Sequence, residues 1–181
     1  MEYFDIVDEN GVPTGETVER RAAHTAGIRH RTAHVWVIRT RGGKTQVLLQ
    51  KRSLNKDSHP GRLDTSSAGH IPAGCGPAAS AVRELREELG IAAAEKELAY
   101  IGRFSVEYEE VFHGAPFHDN EVSSVYVLAR EIADDEIAVQ KEELESADWY
   151  DFAETVRAVE RHDERYCVPE GSIALLKKWL E

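Results

Sequence analysis

The chain has 181 residues, 22 of them Lys or Arg and 33 Asp or Glu, giving a formal charge of −11. Apolar residues make up 41% and charged residues 30%, an ordinary globular mixture that excludes a disordered or fibrous chain, and the acidic balance disfavours nucleic acid as a partner. No apolar run reaches the roughly 18–20 residues a membrane-spanning helix needs, the first residues lack a signal-peptide pattern, and Cys75 and Cys167 are too few for a disulfide framework. A single domain over residues 1–181, cytoplasmic and without a membrane partner, is the expectation.

In chain order, residues 3–7 and 17–18 flank Asp8-Glu9-Asn10-Gly11-Val12-Pro13, where Asn-Gly signals a hairpin turn. Residues 34–38 and 46–50 are β-branched or apolar runs about the Arg41-Gly42-Gly43-Lys44 turn and predict a second hairpin. Residues 51–76 are polar and rich in Gly, Pro and Ser, which predicts a mostly irregular segment long enough to carry function. Pro77 and Gly90 bracket a predicted helix whose apolar stripe is Ala78, Ala81, Val82, Leu85 and Leu89. Strands are predicted at residues 100–106 and 122–128, and two helices near residues 152–161 and 170–180.

The most informative stretch is Arg83-Glu84-Leu85-Arg86-Glu87-Glu88-Leu89-Gly90-Ile91. On a helix Glu84, Glu87 and Glu88 stand at i, i+3 and i+4 and share one face, while Leu85 and Leu89 turn toward the core. From spacing alone the first reading is a solvated Glu/Arg face in which Arg83 and Arg86 supply the partners. The second is a cation site. Clustered carboxylates repel unless compensated, and hard oxygen ligands on a rigid helix suit Mg²⁺ or Mn²⁺ bridging to phosphate.

The longer run Gly69-x5-Cys75-x7-Arg83-Glu84-Leu85-x-Glu87-Glu88-x-Gly90-Ile91 resembles the Nudix box, and only Cys75 departs from it, standing where that family has its first glutamate. In relatives that carboxylate helps to hold the loop and the box arginine. The resemblance implies a Nudix fold, an α/β/α sandwich with a mixed β-sheet. It also implies Mg²⁺-dependent (or Mn²⁺-dependent) hydrolysis of a small-molecule diphosphate, such as a nucleoside diphosphate derivative. By the same resemblance Glu87 and Glu88 are metal ligands, Glu84 is a ligand or helps to activate water, Arg83 orients Glu84, and the Ala68 carbonyl is a further ligand. Glu121 is assigned as a carboxylate completing the magnesium site or serving as base.

Residues 18–26, residues 49–56, Pro60-Gly61 and Gly69-His70 are similar to isopentenyl-diphosphate isomerase, a Nudix-fold relative. In that enzyme three histidines and two acidic residues hold a metal, which here match His24, His30, His70, Asp119 and Glu121 as a candidate second site. Three basic residues that contact the diphosphate there match Arg20, Arg52 and Lys56. Ala68 stands where the isomerase carries a proton-transferring cysteine, and the complete Arg-Glu-apolar-x-Glu-Glu set is one the isomerase lacks. The resemblance therefore points to a pyrophosphohydrolase on an isomerase-like frame. Isomerisation itself and a module that binds a diphosphate without cleaving it stay open as rivals, as does a homodimer. The duller readings make the histidines loop or capping residues, the basic trio surface charge, and Glu107, Glu109 and Glu110 a solvated acidic run. Tyr108 and Phe112 either stack on a nucleobase or pack a loop.

Overall fold

The alternation Ala33-His34-Val35-Trp36-Val37-Ile38 builds the centre of the protein, because successive side chains of a strand point to opposite faces and here both faces are apolar. The computed structural model describes residues 1–56 and 58–181. Its strands are β1 (Tyr3–Val7), β2 (Pro13–Glu19), β3 (His30–Arg41), β4 (Lys44–Arg52), β5 (Leu63–Asp64), β6 (Ser67–His70), β7 (Ala99–Phe112), β8 (Ala115–Ala129) and β9 (Leu144–Asp151). Its helices are α1 (Arg20–Ala26), α2 (Pro77–Leu89), α3 (Phe152–Glu160) and α4 (Glu170–Leu180).

The main sheet runs β5-β4-β3-β8-β7, with β6 also on β3 and β9 on β4. It is mixed: β3 and β8 are parallel and the other pairs antiparallel. Val35, Val37 and Leu48 pack on one face against Ala81, Leu85 and Leu89 of α2. Trp36, Ile38, Val47 and Leu49 pack on the other against Val156 and Val159 of α3 and Ile173 and Leu176 of α4. Each fully buried Leu or Val contributes about 1.5–3 kcal/mol, and alternate residues of the same strands hold the helix layers on the two faces. This is the expected α/β/α sandwich. No helix among the described residues is long and apolar enough to cross a membrane.

One detail positions the functional cleft. The β6 strand pairs with β3 through residues 32–35 and β4 pairs with it through residues 38–41, so two strands share one edge of β3 and splay apart. At the fork the Ser66 hydroxyl accepts from the Val37 amide (2.7 Å) and donates to the Leu48 carbonyl (2.6 Å), which supplies the ladder bonds the parting strands forgo.

Both predicted hairpins form, and α2 starts and ends where Pro77 and Gly90 require, Gly90 taking the left-handed conformation at φ 70°. Three features differ from expectation. The segment 51–76 carries β5 and β6 and is not mostly irregular, because neighbouring strands recruit short polar stretches that show no alternation of their own. The strands expected at 100–106 and 122–128 extend toward each other into one long hairpin, closed by His113 and Gly114 at φ 52° and 77°. Glu107, Glu109 and Glu110 therefore stand on the exposed outer part of β7 and not on a loop. The helix α1 and the strand β9 had no sequence signal; α1 has only seven residues and β9 is half-buried throughout most of its length.

Candidate active site

The period of two that sends Trp36 and Ile38 into the apolar layer also turns His30, Thr32 and His34 to that face, where β3 opens into a cleft of about 430 Å³. Beside β3, β8 sets Glu121 opposite His30, and β6 sets His70 opposite Thr32. The short helix α1 delivers His24. One wall of the same cleft is α2, bearing Glu84, Glu87 and Glu88.

The carboxylates on α2 are graded by burial. Glu88 is 4% exposed, Glu84 half-buried and Glu87 exposed. Glu88 Oε2 accepts from the Ser67 hydroxyl at 2.7 Å and from the Ala68 amide at 3.3 Å. Burial, followed by the negative charge of Glu84, pushes its pKa up to about 8. The Glu84 pKa is raised too, by burial first, with Arg83 opposing. Arg83 bridges the outer pair, 2.6 Å from Glu84 Oε1 and 3.0 Å from Glu87 Oε2, and donates to the His70 carbonyl at 3.2 Å. A Cβ at Gly69 would collide with the Glu84 carboxylate, so that glycine is what lets the side chain lie against β6. These features fit a hard divalent cation: buried oxygen ligands whose ionised forms burial penalises are stabilised by a cation.

The histidines form a second group. Donor atoms of His24, His30, His70 and Glu121 all lie within 4.8 Å of one another. Nδ1 of His24 bonds the Arg20 carbonyl (2.9 Å) and Nδ1 of His30 the Ile28 carbonyl (2.8 Å). A proton on each Nδ1 turns the lone pair of Nε2 inward. His70 Nε2 faces His24 Nε2 at 3.2 Å and Glu121 Oε1 at 3.5 Å. Nε2 of His30 and Oδ1 of Asp119 are buried without a hydrogen-bond partner. Phe4 stacks on His30 and His70 at ring distances of 4.8 and 4.6 Å, and Phe117 on His24 at 4.6 Å, so the cluster has an apolar shell. Three imidazoles and a carboxylate in such a shell fit a borderline transition ion better than magnesium.

Burial pushes the His70 and His24 pKa values down. Burial alone would raise Glu121, but the His30 imidazole 3.7 Å from Oε1, with His70 beside it, brings it down to about 2. The Thr32 hydroxyl donates to Glu121 Oε2 at 3.0 Å. Glu121 thus faces the histidines. Asp119 stands at the edge of the group, 3.7 Å from His24 and 4.0 Å from His30.

The basic trio reaches the cleft with protein partners in place. Arg52 lies 3.2 Å from Asp64 and donates to the Ser58 carbonyl and hydroxyl, Lys56 is ion-paired with Glu143, and Arg20 lies 3.0 Å from Glu2. Tyr108 and Phe112 pack with His59 and Phe117, and Tyr108 and Phe117 line the cleft. Cys75 is exposed and contributes only its backbone, its carbonyl accepting from Arg31 at 3.2 Å. Sequence reasoning passed over Thr32, His34, Ser67 and Asp5. The only signal for the first two was the alternation with His30.

The helix with its carboxylates packed against a glycine strand is matched by comparison with known proteins. Residues 28–170 match the NUDIX domain model. The chain is 36% identical over 168 residues to Nudix hydrolase 3 of Arabidopsis thaliana, covering 91% of this chain and 21% of that protein. It is 37% identical over 143 residues to a Nudix hydrolase of Clostridium acetobutylicum, covering 79% of this chain and 66% of that protein. It is 34% identical over 149 residues to an isopentenyl-diphosphate Delta-isomerase of Cereibacter sphaeroides, covering 82% and 79%. The chain thus spans 21% and 66% of the lengths of the first two relatives. A protein of Deinococcus radiodurans shares the fold at TM-score 0.66 and 17% identity over 88% of this chain and 90% of that one. The NUDIX domain of Shewanella oneidensis NrtR, solved with ADP ribose, does so at 0.63 and 12% over 91% and 94%. The chain belongs to the Nudix family, and its relatives include Nudix hydrolases and isopentenyl-diphosphate isomerases.

Proposed function

We propose that this chain is a Mg²⁺-dependent pyrophosphohydrolase that cleaves the diphosphate linkage of a small molecule, such as a nucleoside diphosphate derivative. The observation that carries the reading is Glu88, a buried carboxyl with a pKa of about 8 beside Glu84 and the Gly69 strand. Without a cation such a group is protonated near neutrality, and that costs the site the ligand its sequence supplies.

In this reading Glu84, Glu87, Glu88 and the Ala68 carbonyl hold the ion, and Glu121 is a further carboxylate of the cleft. A bound divalent ion neutralises charge developing on phosphate oxygens and acidifies the attacking water. The chain's own part is to position and to move a proton. Arg83 holds the Glu84 carboxylate in place, and Glu84 takes the proton as water attacks phosphorus in line. Arg20, Arg52 and Lys56 exchange their carboxylate partners for phosphate oxygens, for which the guanidinium fork of Arg52 is suited. Tyr108 and Phe117 supply an apolar wall for the group beyond the phosphates. The ADP ribose bound to the Shewanella domain is a compound of the proposed kind.

A panel of nucleoside diphosphates, nucleotide sugars, dinucleotides and prenyl diphosphates, assayed with Mg²⁺ or Mn²⁺ and with EDTA, tests this. Metal-dependent release of phosphate or nucleoside monophosphate is expected, and Glu87→Gln and Glu88→Gln should abolish it in a folded protein. No release from any compound would leave a binding module. The histidine cluster favours a second reading, isomerisation of isopentenyl diphosphate at a metal held by His24, His30, His70, Glu121 and Asp119. With only a methyl group at Ala68, no dimethylallyl product is expected.

A further inference from the structure

His34 belongs to neither carboxylate group. It is 6% exposed, follows His30 and Thr32 on the same face of β3, and lines the cleft. Its Nδ1 is buried without a partner, its ring edge meets Phe104 at 5.4 Å, and Asp64, Glu121 and Arg52 are the charged groups around it. Buried polar atoms are nearly always hydrogen-bonded, so an orphan beside a cleft has a cause to be found. Of the two neutral tautomers, the one protonated on Nε2 leaves only a lone pair without a partner at Nδ1. The other would strand an N–H, the costlier fault. The preferred tautomer therefore presents an N–H donor on the ring's cleft side, where Arg52 already contributes positive charge.

We propose that His34 contacts the substrate, its Nε2–H donating a hydrogen bond to an oxyanion of the bound diphosphate alongside Arg52. The assignment rests on the pyrophosphohydrolase reading and adds to it a neutral donor at the inner end of the phosphate site. A neutral donor there suits an enzyme whose product must leave, because it orients the phosphate without the grip of a further fixed cation. The ligand gives the Nε2–H its acceptor, while Nδ1 keeps only an unpartnered lone pair, the milder of the two faults.

The test is binding of imidodiphosphate, a diphosphate that resists cleavage, by calorimetry with Mg²⁺ present, in wild type, His34→Leu and His34→Gln. Leu matches the ring's bulk without polar atoms, and Gln places an amide N–H near the Nε2 position. His34→Leu should weaken binding about ten- to hundred-fold, the size of one hydrogen bond to a charged group, and His34→Gln should stay within about three-fold of wild type. Thermal unfolding should show His34→Leu at least as stable as wild type, since it removes an unsatisfied buried nitrogen. Equal affinity in wild type and His34→Leu overturns the inference while leaving the pyrophosphohydrolase reading intact. Equal weakening in both variants, with lower unfolding temperatures in both, overturns it in favour of a structural role. Wild-type protein that neither binds the probe nor cleaves any compound of the panel overturns the reading and the inference together.

Discussion

Asp5 on the opening hairpin and Arg31 on the central strand meet at 2.8 Å and together hold the loop that precedes the carboxylate helix. Asp5 Oδ2 also accepts from the Gly74 amide at 3.0 Å, and Arg31 donates to the Cys75 carbonyl. The carboxylate missing at position 75 thus has a counterpart in Asp5, contributed from another part of the chain. Asp5→Ala should cost about 1–3 kcal/mol, the size of a partly buried charged hydrogen-bond pair, and lower metal-dependent turnover. Cys75→Ser, which touches no side-chain contact, should leave both almost unchanged. Urea denaturation and turnover measured on both variants check this, and a larger effect at Cys75 than at Asp5 would refute it.

Glu88 makes stability depend on pH in a stated direction. Its folded pKa of about 8 lies above the ordinary 4.5, so between those values the folded protein keeps a proton that the unfolded chain has released. The stability owed to Glu88 is whole below pH 4.5 and is lost as pH rises through about 8. Relative to Glu88→Gln, wild type without metal should lose on the order of a few kcal/mol across this window, and saturating Mg²⁺ should reduce the loss. Denaturant midpoints of the two proteins across the range measure it, and parallel curves would contradict the assignment.

Gly69→Ala should separate the strand from the carboxylate helix. Gly69 does not have a positive φ, so its replacement meets no backbone strain, and the cost is the collision of the new methyl with Glu84. A destabilisation of about 1–3 kcal/mol is expected, together with weaker Mg²⁺ binding because Glu84 must swing away. Calorimetric Mg²⁺ titration of the variant reads this directly; unchanged affinity would show that Glu84 is not a ligand.

The facing nitrogens of His24 and His70 lead to an expectation about metal removal. After EDTA treatment, adding Zn²⁺ at about one hundred times its dissociation constant should stabilise the protein by about 2.7 kcal/mol. That corresponds to roughly 5–10 °C in unfolding temperature for a chain of this size. His24→Ala and His70→Ala should abolish the increment, and Glu88→Gln should not. An increment that survives both histidine variants would place the ion elsewhere.

The sequence by itself determined the elements with strong local signals and the chemistry of α2. Pro77 and Gly90 mark its ends, the leucines its inner face, and Glu84, Glu87 and Glu88 its shared outer side, because helix spacing alone brings such residues together. Tertiary structure decided what no local period encodes. It graded the three carboxylates by burial, turned Glu121 toward the histidines, gave Arg52 and Lys56 acidic partners, and brought His34 to the cleft. It also recruited β6 and β9 and met the missing box glutamate with Asp5. The physical reason is common to all of these: burial, pairing across a sheet and the charge around a side chain depend on residues distant in the chain, and they exist only once the strands have met.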